Sequence, residues 1–168
     1  AFRRLCREYG GGLYVSEMVT SRALVERTEE SLRLVGHHES EDIRSVQLYG
    51  VDPKTIADAV TMLVAEDRAD HIDLNFGCPA KTVNRSQGGA ALLRTPLLIK
   101  SICQAVRERV PNTVPVTAKI RLGYDTEDQF AEILDALAQV ELSELTIHAR
   151  TRRQGYRPPA HWHQLRQA

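Results

Sequence analysis

The feature that most limits the fold is a regular alternation of short β-type runs with helical stretches. Strand patterns fall at residues 13–16, 43–48, 72–75, 115–120 and 145–148, their starts separated by roughly 28 to 44 residues. Helical patterns lie between them. Phe2, Leu5, Cys6 and Tyr9 recur at helical spacing before the Gly10-Gly11-Gly12 run stops that pattern. Residues 20–35 give a weaker helical stretch carrying Ala23, Leu24, Leu32 and Val35. Asp52-Pro53 and Thr95-Pro96 each place a capping side chain before a proline at the first helical position. The first of these helices is expected to run to about Glu66, and a further helix spans 127–140. Pro158-Pro159 interrupts the chain before a final helix near His161. This is the spacing of βα units around a parallel sheet, which makes the chain α/β. No GxGxxG follows the first strand and no P-loop occurs, so a dinucleotide-binding domain is disfavoured. The expectation is a (β/α)₈ TIM barrel. Five units cannot close eight strands, so the barrel is expected to be partial: about strands 2–6 with their helices, the first strand and the last two missing.

Charge matters here through its distribution. Lys+Arg and Asp+Glu are both 22, so net charge does not choose a partner. No acid occurs from Leu74 to Arg107, a stretch holding Lys81, Arg85, Arg94, Lys100 and Arg107. None occurs from His148 to Ala168, which holds Arg150, Arg152, Arg153, Arg157 and Arg166. Brought together, these stretches would suit an anionic ligand or nucleic acid; apart, they are solvated loops. The three cysteines form no CxxC pair, which argues against a disulfide framework or a zinc site and fits a reducing, intracellular compartment. No apolar run approaches the roughly 18 residues of a membrane span. The chain opens without Met inside a helical pattern, so its natural start is expected to lie upstream.

Barrel chemistry sits at the C-terminal strand ends. The groups expected there are Ser16-Glu17-Met18, Gln47, Asn75 with Cys78, Lys119 with Arg121, and His148 with Arg150. Taken singly, a Gln or Asn at a strand end more often serves a turn. Lys119 is harder to dismiss, because Thr117, Lys119 and Arg121 alternate with Val116, Ala118 and Ile120 and so face the barrel. His148 follows Thr146 with the same parity. Cys6 and Cys103 lie on apolar helix faces and are expected in the core. Cys78 differs: it follows a strand end, precedes Pro79 and opens an acid-free basic loop. A free thiol, with a pKa of about 8.5, can donate a proton to carbon or, activated by a base such as His148, act as a nucleophile.

The segment "DLNFGCPAKTVNRSQGGAALL" resembles the active-site segment of the tRNA-dihydrouridine synthases, most nearly the bacterial ones. "FRRLCREYGGGLYVSEMV", "VQLYGVDP", "PVTAKIRLGYD" and "LTIHARTRRQGY" extend the resemblance, in order, over nearly the whole chain. It implies a cytoplasmic, FMN-dependent barrel enzyme that reduces particular uridines in tRNA to 5,6-dihydrouridine, with NADPH as reductant and no metal. Hydride would reach C6 of the uracil, and Cys78 would protonate C5. Gln47, Lys119 and His148 match cofactor-contacting positions, with Lys119 near the flavin N1/O2 edge. Asn75, Lys81, Arg150 and Arg152 match positions near the substrate base and RNA backbone. Where the family reads His-Gly-Arg-Thr, this chain has His148-Ala149-Arg150-Thr151. The family's flavin-phosphate loops and its C-terminal helical tRNA-binding domain have no counterpart in residues 1–168, which are expected to form an incomplete FMN-binding catalytic domain. Two other readings stay open: an FMN barrel acting on a free pyrimidine, like dihydroorotate dehydrogenase, and an inactive RNA-binding fragment. Oligomeric state is not legible.

Overall fold

A computed structural model describes residues 2–168. Five parallel strands follow one another in the order β1-β2-β3-β4-β5. They are β1 (Val19–Thr20), β2 (Ser45–Tyr49), β3 (His71–Asn75), β4 (Val116–Arg121) and β5 (Glu144–His148). A doubly wound sheet reverses its strand order at a switch point. Here each strand adds to the same edge, and the crossing helices lie side by side: α2 (Ser21–Val25) against α4 (Pro53–Ala65), α4 against α6 (Pro96–Arg107), and α6 against α7 (Phe130–Leu137). That is the winding of a (β/α)₈ barrel, of which these strands form an open arc.

Period-two alternation in the strands divides the two sides of this wall. Val46, Leu48, Ile72, Leu74, Val116, Ala118 and Ile120 are buried in the main apolar core with Ile56, Val60, Leu63, Ile99 and Ile102 of the helices. The other parity places Ser45, Gln47, His71, Asp73, Asn75, Thr117, Lys119 and Arg121 on the inner side. Parallel register stacks them in rows, Gln47 beside Asp73 beside Thr117, and Asn75 beside Lys119. The expected caps are only partly realised. Asp52 accepts from the Thr55 N–H at 2.8 Å at the start of α4, whereas Thr95 precedes α6 without a capping side-chain bond.

Several elements differ from the sequence reading. The first strand reduces to a bridge between Val15 and Ser45 and the short β1. Ser16 is the cause: its Oγ accepts from the Gln47 N–H at 3.1 Å, so a side chain takes a place in the ladder and the backbone peels away at Glu17 and Met18. The helix expected over 20–35 is broken by Arg27, at φ 55°, into α2 and α3 (Glu29–Leu34), the second capped by Thr28. The long loop after β3 contains α5 (Lys81–Arg85) and a 3-10 turn (Gly89–Arg94). Helix α7 begins at Phe130, and the last element is a 3-10 turn, Trp162–Gln167. Helix α1 (Phe2–Tyr9) has no buried residue; Arg3 and Arg7 tie it to Glu41 and Asp42. Cys6 is therefore half-buried rather than in the core, whereas Cys103 is fully buried and its thiol is pushed up to about 12 by desolvation. No helix among the described residues is long and apolar enough to cross a membrane.

Candidate active site

Cys78 is placed by its backbone. Its N–H and that of Gly77 both donate to Asn75 Oδ1, at 2.9 and 3.1 Å. Its carbonyl accepts from the Ala90 N–H at 3.0 Å and from Asn84 Nδ2 at 2.8 Å. Gly89, at φ +57°, lies against it: a Cβ there would sit 2.9 Å from the Cys78 carbonyl oxygen. Only glycine meets both demands without strain. The thiol-bearing residue is thus clamped from the strand end, from α5 and from the 3-10 turn. Pro79 leads directly into α5.

Around Cys78 a cavity of about 240 Å³ gathers Gln47, Asn75, Lys119, Arg121 and His148 at the strand ends. Larger hollows exist beside the Gly10–Gly12 turn and along β5, but neither collects groups from several strand ends. Lys119 makes no ion pair among the described residues, and the one acid in the cavity wall is the exposed Glu17. Arg121 is almost fully buried, with no carboxylate partner among the described residues. Its Nε donates to the Gly77 carbonyl at 2.8 Å and its Nη1 to the Gly155 carbonyl at 2.9 Å, tying the β3 and β5 loops together. Burial lowers its pKa from the usual value.

His148 accepts at Nε2 from Arg150 Nη1 at 3.0 Å, which puts its own hydrogen on Nδ1. Desolvation, then Arg121, Lys119 and Arg150, lower its pKa, so it is neutral at pH 7 and a weak base. It makes no hydrogen bond to Cys78. That arrangement does not suit a cysteine–histidine nucleophile, which needs the base on the thiol.

A ladder of polar side chains runs below the cavity. Asn75 Nδ2 donates to Gln47 Oε1 at 2.9 Å, and Gln47 Nε2 to Asp73 Oδ2 at 2.5 Å. Thr117 Oγ1 donates to Asp73 Oδ1 at 2.5 Å and contacts His71 Nε2 at 3.1 Å, while His71 Nδ1 meets Ser45 Oγ at 2.7 Å. Burial lowers the His71 pKa, the nearby Asp73 and Glu144 opposing it.

The cavity thus unites Gln47, Asn75, Cys78, Lys119 and His148 of the sequence candidates. Arg150 reaches it through His148. Lys81 is exposed on α5 and outside the cavity wall, and Arg152 turns away to lie over Tyr124, 5.0 Å from the ring centre. Arg94 stacks on the same ring at 3.6 Å while pairing with Asp125. The two basic stretches therefore meet at Tyr124. Sequence reasoning does not single out Tyr156, which lines the cavity with its ring 5.8 Å from His148; its only signal is its place in the arginine-rich loop. Nor does it single out His71, which precedes the strand expected at 72–75, or Asp73, whose alternation with Ile72 and Leu74 reads simply as strand. No group of three or more potential metal ligands occurs among the described residues.

The whole of residues 1–168 matches the family model described as dihydrouridine synthase (Dus). The chain is 52% identical over 117 residues to a tRNA-dihydrouridine(16) synthase of Pseudomonas putida, covering 70% of this chain and 36% of that protein. It is 45% identical over 152 residues to tRNA-dihydrouridine synthase B of Pasteurella multocida, covering 90% and 45%. A probable tRNA-dihydrouridine synthase of Mycobacterium tuberculosis is 42% identical over 176 aligned positions, covering 98% and 45%. The chain thus spans between a third and a half of the length of these curated relatives.

Proposed function

The chain belongs to the dihydrouridine synthase family, and from that premise we propose that it carries the catalytic strand ends of an enzyme reducing uridine in tRNA to 5,6-dihydrouridine. The observation that carries this reading is the cavity itself: a backbone-clamped thiol faces a wall holding two cations, Lys119 and Arg121, without a paired carboxylate. An unpaired cation in a half-buried wall calls for an anionic or electron-rich partner.

That wall fits FMN, whose ring gains negative charge on reduction. Lys119 would hold the ring edge where this charge collects, and Gln47 would offer its remaining amide hydrogen. His148, neutral and fixed by Arg150, would present its Nδ1–H. FMN held by these residues, with NADPH as its reductant, would supply hydride transfer to C6 of the uracil. Cys78 then gives its thiol proton to C5, forming the second C–H bond of the saturated ring, and the thiolate regains a proton from solvent. Asn75 spends its oxygen on the Cys78 loop and one amide hydrogen on Gln47, so it acts first on the loop.

RNA, rather than a free pyrimidine, is favoured by the meeting of the two basic stretches at Tyr124. Arg94, Arg152 and the exposed Lys81 would take the phosphate backbone of a tRNA whose target base is turned out of its stack. The test uses the intact natural protein, NADPH and tRNA transcribed without modifications. Dihydrouridine should form, and tRNA binding should weaken steeply with added salt. Salt-independent binding, or reduction of free uracil in preference to tRNA, would refute the assignment.

A further inference from the structure

Resting on the reading of Cys78 as proton donor, we propose that Asp73 is a positioning residue that sets the direction of the hydrogen-bond relay holding the Cys78 loop. Backbone N–H groups only donate, so the Asn75 atom that meets Gly77 and Cys78 is its oxygen. Its amide nitrogen then faces Gln47, whose near atom must be the oxygen. The Gln47 nitrogen is left facing Asp73, and a carboxylate accepts it. Each amide is oriented from both ends, and neither can flip without placing donor against donor.

The second branch also ends on Asp73. Thr117 has one hydroxyl hydrogen and gives it to Asp73 Oδ1, so its contact with His71 requires the hydrogen to be on His71 Nε2. His71 Nδ1 then accepts from the Ser45 hydroxyl. Asp73 is 7% exposed, and no cation pairs with it among the described residues. Burying a carboxylate without an ion pair is unfavourable unless hydrogen bonds satisfy it. Here both oxygens receive donors, and one of the two branches ends on the Cys78 N–H.

This geometry separates the charge of Asp73 from its role as acceptor. Asp73→Leu removes the acceptor, frees Gln47 to turn and leaves Asn75 held from one side only. Asp73→Asn removes the charge but can keep its oxygen toward Gln47. Its new amide hydrogens then meet Thr117, whose hydroxyl turns to His71, and the imidazole moves its hydrogen to Nδ1 and gives it to Ser45. The lower branch reverses and the upper branch stands.

The experiment is residue-resolved amide hydrogen exchange at Gly77 and Cys78 in the intact protein. Asp73→Leu should speed both amides by about five-fold or more, the loss of roughly one hydrogen bond. Asp73→Asn should stay within about two-fold of the parent. Exchange unchanged in Asp73→Leu overturns the proposal, and so does Asp73→Asn exchanging as fast as Asp73→Leu. If Asp73→Leu does not fold, Gln47→Met breaks the relay one link on; it should show the same acceleration, and parental exchange there is equally fatal. The readout reports on the loop backbone and not on turnover, so its failure leaves the proton-donor reading to its own test.

Discussion

At the scale of single residues, the two inner-face histidines make the site and the fold sensitive to acid. His71 and His148 both have pKa values lowered by burial, so the folded chain binds fewer protons than the unfolded one just below the ordinary histidine value. Their contribution to stability is complete above about pH 6.5 and is lost as the pH falls through that value toward the lowered one. Protonated His71 would also need an acceptor at Nδ1, which Ser45 could supply only by turning its hydroxyl. Urea unfolding at pH 7.5 and 5.5 should therefore show a smaller loss for His71→Gln than for the parent protein. An equal loss in both would remove His71 from the account. Neither histidine's chemistry is readable along the chain. His148 is a candidate because strand parity points it to the barrel mouth and because the family resemblance matches it to a cofactor-contacting position. His71 has its partners Ser45 and Thr117 on neighbouring strands, 26 and 46 residues away.

At the scale of elements, periodicity reveals what backbone geometry alone decides and misses what side chains interrupt. The capped helix α4 and the strands β2 to β5 follow from the residues themselves, because hydrophobic period and the Asp-Pro signal act locally. The broken first strand does not, since it depends on the Ser16 hydroxyl reaching the Gln47 N–H on another strand. The Cys78 loop lies between these cases. Its glycines mark a turn, but only the folded loop shows that Gly89 lies against the Cys78 carbonyl. Gly89→Ala should therefore act on the site rather than merely on flexibility. Left-handed backbone costs an alanine about 1–2 kcal/mol, and the 2.9 Å contact would push the Cys78 carbonyl off its partners. Thermal unfolding should show that loss together with a drop in dihydrouridine formation. A variant with parental activity and stability would mean that the clamp is not needed.

At the scale of the whole molecule, the sequential strand order makes this a barrel arc, and its free edge carries a hollow of about 590 Å³ between α7 and β5. Closing a barrel takes eight strands, and the described residues supply five. The 168-residue chain taken alone should therefore bind FMN poorly or not at all, as measured by flavin absorbance of the purified chain. A stoichiometric yellow protein would contradict this. Most of the cavity wall was nonetheless legible, because parallel strands align their C-terminal ends whatever the loops between them do. Arg152 lies outside that wall, since its position depends on the aromatic ring it stacks upon.

Replacing Cys78 in the intact protein is the most direct test of the proton-donor role. Cys78→Ala should keep its flavin and its affinity for unmodified tRNA, because the thiol makes no contact that holds either in this account. Dihydrouridine formation should fall by about two orders of magnitude or more, the usual contribution of a general acid. Undiminished formation of dihydrouridine by Cys78→Ala, with flavin bound, would show that the proton comes from elsewhere.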